Sequence, residues 1–271
     1  PVEAEPAKGT LRQFALRYIA NRDLAVGSTE QILWAVSRLE KFVGHQLRWD
    51  ELTPELLNAC LKWMRDAAYK ESTRRNLRRI IKTLWSDAAD AGIVVAPRRI
   101  MRVPMADTIP QAWTYEQVRG MLRVCDSLDG KYFITRIPRR LYWRAYVMAA
   151  WDTGLRGCDL RRLTRAEIPE SRRFTIIQQK TRKIKRLQIH ESTLVAIDAL
   201  CEAGIKRPLI WPLWGRLELW RRDARKLIRL SGLPGTLGRL RHSAGTAMEM
   251  AHPGRGHEHL GNTRAVFETH Y

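Results

Sequence analysis

Residues 153–160 read Thr-Gly-Leu-Arg-Gly-Cys-Asp-Leu, and this stretch decides how the second half of the chain is interpreted. Gly154 permits a tight turn between two helices, because glycine adopts backbone angles that other residues avoid. Asp159 follows Arg156 by three residues and can hold the local fold around it. Taken alone, the stretch is also consistent with a helix junction that carries an exposed arginine.

Two further segments supply side chains suited to one kind of chemistry. One is the basic turn Lys180-Thr181-Arg182-Lys183, and the other runs from Leu240-Arg241-His242 through Leu260-Gly261-Asn262 to Tyr271. Guanidinium groups bind phosphate oxygens bidentately, a lysine can protonate a leaving oxygen, and a tyrosine can be a covalent nucleophile. Together the segments match what phosphoryl transfer from a nucleic-acid backbone needs.

On these motifs the chain resembles the tyrosine recombinase (phage integrase) family of DNA strand-exchange enzymes. Residues 153–160 match the family's first arginine box, and Leu-Arg-His-Ser-Ala-Gly-Thr, which contains Arg241, resembles its Leu-Arg-His-Thr-Phe-Ala-Thr box. Leu260-Gly261-Asn262 resembles the Leu-Gly-His box, and Tyr271 lies nine residues after Asn262, where the family has its tyrosine. The resemblance is specific in the second half of the chain and architectural in the first.

The resemblance implies a mechanism without a cofactor. Tyr271 attacks a scissile DNA phosphate, forms a 3′-phosphotyrosyl bond and releases a 5′ hydroxyl, while Arg156 and Arg241 stabilise the charge on the phosphorane. The covalent bond conserves the energy of the phosphodiester, so neither ATP nor a metal ion is implied. Family members carry out strand exchange as a homotetramer on two DNA sites.

The basic turn offers more than one lysine for the role of general acid. The family places its catalytic lysine on a β-hairpin, and Lys180 stands in Gln-Lys-Thr just before a predicted strand-to-strand turn. Lys183 and Lys185 are close in sequence, and we prefer Lys180 to Lys183. Arg182 and Lys183 are expected to contact DNA.

Two positions depart from the family pattern. Gly238 stands where the family usually has a histidine, three residues before Arg241, and Asn262 occupies the histidine position of the Leu-Gly-His box. Asparagine can donate a hydrogen bond to a phosphate oxygen, but it cannot carry a proton near neutral pH. We assign Asn262 to the catalytic set and expect His257 or His259 to cover part of the missing histidine function.

The histidines near residue 255 also raise a metal hypothesis. His252, His257, Glu258 and His259 lie close together in sequence, but they lack the HExxH spacing of a helical zinc site. Glycines at 254 and 256 favour a loop here. We therefore expect no metal.

Composition favours a polyanionic partner and a reducing compartment. The chain has 271 residues with 48 Lys+Arg against 28 Asp+Glu, a formal net charge of +20, and nucleic acid is the commonest partner of such a protein. The four cysteines show no CxxC spacing, so neither a disulfide framework nor a zinc site is indicated. Without a signal peptide or a long apolar run, neither secretion nor membrane insertion is supported, and a cytoplasmic, nucleoid-associated location is expected.

Periodicity predicts a mainly α fold, with a helical N-terminal domain and a mainly helical second domain that holds a small antiparallel β-sheet. The family resemblance implies that these are a core-binding domain and a catalytic domain. We expect the first domain at 1–103, a proline-containing linker at 104–112 and the catalytic domain at 113–271. Capping patterns predict helix starts near Ser28, Thr53 and Thr114. Further helices are expected near 141–151, 192–203, 216–230, 239–250 and 263–270, with short strands at 174–177 and 186–189.

The fourth predicted helix, which begins near Ser72 and should stop at Gly92, is the most DNA-like element of the first half. A basic stripe on one side of it is expected to contact duplex DNA, since a major groove admits such a helix. The stripe comprises Arg74, Arg75, Arg78, Arg79 and Lys82.

Three other functions remain open from the sequence. A relative of the same fold could bind DNA with chemistry weakened by Gly238 and Asn262, and a type IB topoisomerase-like enzyme would use a similar catalytic set. A basic structural or RNA-binding protein is the third. The family usually continues past its tyrosine with a segment that docks on a neighbouring subunit. In the sequence given, Tyr271 is the last residue, so such docking is not expected and we predict a monomer when the protein is free.

Overall fold

The computed structural model describes residues 9–104, 112–132, 136–204 and 217–270, without the side chains of the last two. The chain divides into two compact units, Pro1–Thr108 and Ile109–Tyr271. The predicted linker falls mostly on residues 105–111, which lie outside the described part, so its limits stay a prediction. No helix in the described ranges combines the length and apolar character needed to cross a membrane.

The N-terminal unit is built from helices packed around one apolar core. Its α-helices are α1 (Leu11–Ala20), α2 (Val26–Val43), α3 (Pro54–Asp66) and α4 (Glu71–Asp90), with a 3-10 turn at Trp49–Glu51 between α2 and α3. Leu39, Leu61 and Leu77 come from three of these helices and are fully buried in that core. Apolar residues recur on one face of each helix, and burial of that face stabilises these segments as amphipathic helices.

Most helix starts follow their sequence signals, with one exception. Thr53 caps α3 with Pro54 in its first turn, and Thr114 forms a reciprocal capping box with Gln117, as predicted. The capping box predicted at Ser28 is wrong. Helix α2 begins at Val26, and the Ser28 backbone N–H already bonds to the Ala25 carbonyl, so Ser28 lies inside the first turn.

The C-terminal unit wraps helices around a long buried helix. Its elements are α5 (Tyr115–Asp126), α6 (Arg139–Thr153), α7 (Gly157–Leu160), β1 (Arg173–Ile177), β2 (Ile184–Gln188), α8 (Glu191–Glu202), α9 (Leu217–Leu230), α10 (Arg239–Ala251), α11 (Gly256–Leu260) and α12 (Arg264–His270). Helix α6 is buried on most sides, and Tyr142, Trp143 and Tyr146 pack their rings against each other in the core. The predicted mainly α class with a small antiparallel sheet is confirmed.

The two strands form an antiparallel hairpin that turns one face inward. Arg173 pairs with Gln188 and Ile177 with Ile184, and burial alternates along both strands. On β2 the inward positions are Lys185 and Leu187. A lysine therefore occupies a core position that alternation alone would give to an apolar residue.

One segment expected to be a loop is helical. His257 and His259 lie in the short helix α11, not in a loop. The Glu249 carboxylate accepts hydrogen bonds from the backbone N–H groups of Gly254 and Gly256, which fixes the turn before the helix. The glycines thus shape the entry to α11 and do not prevent it.

Candidate phosphate-binding site

The first arginine box is a sharp turn between α6 and α7. Gly154 ends α6 in the left-handed region with φ of +54°, and Arg156 is the N-cap residue of α7. A Cβ added to Gly154 would lie 2.7 Å from Leu260 Cδ2, which is closer than real contacts allow. Glycine is thus required here both by its backbone angle and by the close approach of α11.

Arg241 connects this turn to the end of α11. Its side chain lies in the first turn of α10 and is 8% exposed. One guanidinium nitrogen donates to the Gly154 carbonyl, and the other donates to the Leu260 carbonyl at 2.8 Å. The same second nitrogen donates to Asn262 Oδ1 at 3.0 Å.

The two arginines converge on one asparagine. Arg156 Nη2 approaches Asn262 Oδ1 at 3.5 Å, and Arg156 Nη1 donates to Gln178 Oε1 at 3.3 Å. Gln178 is fully buried at the end of β1, where it also accepts a hydrogen bond from the Thr181 hydroxyl at 2.8 Å. Two guanidinium groups therefore share neutral oxygens, and this arrangement leaves positive charge that an anion can neutralise.

Asp159 ties the first arginine box to the hairpin. It is 4% exposed, and its Oδ1 accepts a hydrogen bond from the Gln179 backbone N–H at 2.7 Å. Its Oδ2 is buried and has no hydrogen-bond partner among the described residues. The carboxylate is thus an internal anion beneath a cluster of cations.

The lysines of the hairpin separate into exposed and buried positions. Lys180 and Lys183 are exposed at the turn, as is Arg182 with its φ of +54°. Lys185 instead points inward, is 4% exposed, and donates from Nζ to the Thr153 carbonyl. Burial lowers the pKa of Lys185 to about 7, and the positive charges of Arg241 and then Arg156 add to this effect.

Sequence reasoning passed over Lys185 as a functional residue. The signal was present in the order Ile184-Lys185-Arg186-Leu187, where Lys185 and Leu187 share one face of the strand. Because Leu187 and Ile189 are both apolar, whereas Arg186 and Gln188 lie on the other face, the face with Lys185 is the inner one. The alternation could have marked Lys185 as a buried cation.

One of the two proposed substitute histidines lies at this site. His259 approaches Gly154 so closely that a Cβ there would stand 3.1 Å from its Nε2. Burial, followed by the charges of Lys185 and Arg241, lowers the pKa of His259 to about 4, so the ring is neutral near pH 7. His257 is half-buried on the same short helix, and Gly238 is the N-cap residue of α10.

The basic stripe predicted on α4 is only partly available to a ligand. Arg74 is only 7% exposed, and Arg78 donates from Nε to the Met101 carbonyl at 2.7 Å within the N-terminal unit. Arg75 is half-buried, whereas Arg79 and Lys82 are exposed. Contact between this stripe and DNA stays a prediction, and Arg79 and Lys82 are the members most accessible to a ligand.

A second basic surface was missed. Helix α9 buries Ala224, Leu227 and Ile228 and exposes all of its lysines and arginines. We call this surface the α9 basic face; it consists of Arg221, Arg222, Arg225, Lys226 and Arg229. The helix was predicted at 216–230, and the spacing of these residues in the sequence would have identified the face.

The remaining predictions concern the Tyr271 nucleophile and the question of a metal site. Tyr271 lies outside the described residues, and α12 ends at His270. Within the described ranges no group of three or more His, Cys, Asp or Glu side chains is arranged to hold a metal ion.

Comparison with known proteins supports the resemblance drawn from the motifs. Residues 10–98 match the family model of the phage integrase SAM-like domain. A solved lambda integrase dimer bound to a COC′ core site is 16% identical with a TM-score of 0.76, covering 97% of this chain and 77% of that chain. No curated protein sequence matches the chain.

Two other solved structures are similar over the same length. The Tn1549 transposon integrase in complex with a circular intermediate DNA is 16% identical, with a TM-score of 0.75 and coverage of 97% of this chain and 95% of that chain. The XerH site-specific recombinase bound to difH substrate is 14% identical, with a TM-score of 0.70 and coverage of 97% and 82%.

The chain thus has the fold of the tyrosine recombinases. Residues 10–98 of its N-terminal unit match the phage integrase SAM-like domain, and the predicted resemblance to the tyrosine recombinase family is confirmed.

Proposed function

We propose that the protein is a site-specific DNA recombinase that cuts and rejoins duplex DNA through a 3′-phosphotyrosyl intermediate. The observation that carries the proposal is the convergence of Arg156 and Arg241 on the Asn262 side chain, at 3.5 and 3.0 Å. Three sequence motifs separated by up to about a hundred residues meet at one point. A helix junction alone would not need two guanidinium groups facing one neutral oxygen.

In this proposal the scissile phosphate is held by both guanidinium groups. They bind the non-bridging oxygens and stabilise the extra negative charge of the phosphorane, and the Asn262 amide can donate a further hydrogen bond. The Tyr271 oxygen forms a bond to phosphorus as the bond to the 5′ oxygen breaks. Lys180 gives its proton to that 5′ oxygen, and attack by a 5′ hydroxyl from a partner duplex reverses the step.

The missing family histidines give His259 a role in the proposal. Its ring is neutral near pH 7, because burial and neighbouring cations lower its pKa to about 4. A neutral imidazole can accept a proton, and bound phosphate would raise its affinity for one. We propose that His259 assists removal of the Tyr271 proton.

The duplex would be held mainly by phosphate contacts. The α9 basic face, Arg79 and Lys82 of α4, and Arg182 and Lys183 of the hairpin are exposed cations suited to backbone phosphates. A solved neighbour is described as a lambda integrase tetramer bound to a Holliday junction. We propose a homotetramer on DNA and a monomer in its absence; a stable tetramer by light scattering without DNA would refute the second part.

The test is covalent capture of DNA. A duplex taken from DNA flanking the gene, nicked near each candidate scissile phosphate, is incubated with the protein and resolved on a denaturing gel. We expect a protein–DNA adduct that is absent from Tyr271→Phe. Tyr115→Phe is the matched control, because Tyr115 is a tyrosine of the same unit that is 61% exposed, and it should give the wild-type adduct.

The replacement of two histidines by Gly238 and Asn262 favours a second candidate, a DNA-binding relative without cleavage. Tight, salt-sensitive binding to the same duplexes with no adduct would establish that candidate and overturn strand cleavage. Relaxation of supercoiled plasmid without any preference for a site would instead indicate a topoisomerase-like enzyme.

A further inference from the structure

We propose that Lys185 is a positioning residue of the phosphate site, and that the site takes up a proton at Lys185 when it binds a tetrahedral anion. The inference rests on the proposed function insofar as the natural anion is a DNA backbone phosphate. It assigns a role to a side chain that the mechanism above does not use.

The geometry places Lys185 directly behind the arginine pair. Its Nζ donates to the Thr153 carbonyl, and Arg241 donates to the next carbonyl along the chain, that of Gly154. Both carbonyls belong to the C-terminal end of α6, where the helix dipole favours cations. Lys185 therefore joins strand β2 to the turn that carries Arg156.

The charges around Lys185 are mostly positive. Arg156 at the start of α7 and Arg241 on α10 lower its pKa, while Asp159 on α7 opposes them. His259 on α11 faces the same space and has its own pKa lowered to about 4, so it adds no charge near neutral pH. Three cations thus face one buried carboxylate.

This imbalance makes proton binding and anion binding depend on each other. Without an anion, repulsion and burial hold the pKa of Lys185 at about 7, so a large fraction of the side chain is neutral at pH 8. A bound anion attracts the ammonium and raises its pKa. By linkage, the anion must then bind more tightly as the pH falls toward the pKa of the free site.

Sulfate is the probe, because it is tetrahedral and does not titrate near neutral pH. The protein is labelled with ¹³Cε-lysine, and pH titrations are followed by NMR at constant ionic strength with and without sulfate. The Lys185 resonance is assigned as the one lost in Lys185→Met, a change that keeps the length of the side chain. Lys131→Met is the control, because Lys131 is an exposed lysine of the same unit that takes no part in the proposed site.

We expect the Lys185 resonance to titrate near pH 7 in free protein and to shift upward by at least about one pH unit with saturating sulfate. Sulfate should bind on the order of tenfold more tightly at about pH 6.5 than at about pH 8.5. Lys185→Met should lose this pH dependence, and Lys131→Met should keep it.

Several results would overturn the inference. They are an ordinary Lys185 titration above about pH 10, a midpoint that sulfate does not move, or absence of sulfate binding at the acidic pH. Persistence of the pH dependence in Lys185→Met would also contradict it. If Lys185→Met folds poorly, the wild-type spectrum still decides the matter, because the inference is contradicted when no lysine resonance titrates near pH 7 and moves with sulfate. Since no DNA is cut in these measurements, their failure is distinguishable from failure of strand cleavage.

Discussion

At the scale of single residues, the site depends on a neutral side chain at position 262. Asn262 offers one amide oxygen to Arg156 and Arg241, which leaves their charges available to an anion. A carboxylate of the same shape would pair with both guanidinium groups and occupy the place of the phosphate. Asparagine here therefore favours ligand binding over internal ion pairing.

Asn262→Asp tests this directly, because it should change stability and activity in opposite directions. Two charge-assisted hydrogen bonds should stabilise the folded protein by about 1–2 kcal/mol at pH 7 and lower the pKa of the new carboxyl. That stabilisation is present above the ordinary Asp pKa of about 4 and is lost as the pH falls through the lowered value. Adduct formation should fall at least about a hundredfold.

Thermal unfolding at neutral and acidic pH, together with the adduct assay, checks the prediction. Asn58→Asp is the matched control: Asn58 belongs to the N-terminal unit and bonds to backbone near Met101, away from the arginine pair. An Asn262→Asp protein that retains wild-type adduct formation would show that the arginine pair does not bind the phosphate.

At the scale of elements, the site is held by the close packing of α11 on the turn after α6. Gly154 has a positive φ and almost touches Leu260, so any side chain there meets two obstacles. Gly232 shares a similar φ of +64°, yet an added Cβ there has no heavy atom within 4 Å. Substituting alanine at each glycine therefore separates the free-energy cost of the backbone angle, which applies at both positions, from the cost of steric overlap, which applies only at Gly154.

Gly154→Ala should therefore destabilise the protein more than Gly232→Ala. We expect about 1 kcal/mol for Gly232→Ala from its backbone angle alone, and about 2–4 kcal/mol for Gly154→Ala, which adds overpacking. Denaturant unfolding measures both. Equal effects would mean that α11 does not pack against the turn as described.

Helix starts show what local sequence signals can and cannot specify. Helices were predictable wherever an apolar face and a cap agreed, as at Thr53 and Thr114, since both signals are local. The start of α2 was not predictable. Its N-cap residue, Ala25, makes no side-chain hydrogen bond, whereas Ser28, a residue type typical of N-caps, lies inside the first turn. Local patterns do not reveal which of several candidate caps the tertiary packing selects.

The candidate site was predictable to a similar degree. Motif spacing indicated Arg156, Arg241 and Asn262, and the structure brings these side chains together. The inward turn of Lys185 and the internal hydrogen bonds of Arg78 depend on tertiary contacts, which the charge pattern of the sequence does not reveal.

At the scale of the whole molecule, the net charge of +20 should appear as salt-sensitive DNA binding. Each phosphate contact contributes about 0.9 to the slope of log affinity against log salt on duplex DNA. The double change Arg222→Gln with Lys226→Gln on the α9 basic face should therefore reduce the slope by about 2 if both residues contact phosphates.

Arg48→Gln with Arg65→Gln is the charge-matched control for this measurement. Both arginines are exposed but paired with neighbouring acids, Asp50 and Asp66, so they attract phosphate less. Their loss should leave the slope nearly unchanged. If the control and the α9 double variant reduce the slope equally, binding follows total charge and the α9 basic face has no special role.

The central claim is that the arginine pair presents a DNA phosphate to Tyr271. The most direct measurement is mass spectrometry of the peptide that remains attached to DNA after nicked-duplex capture and proteolysis. We expect one peptide containing Tyr271, with its oxygen esterified to a 3′-phosphate. Attachment at any other residue, or through a 5′-phosphate, would contradict the account, as would tight duplex binding that never yields an attached peptide.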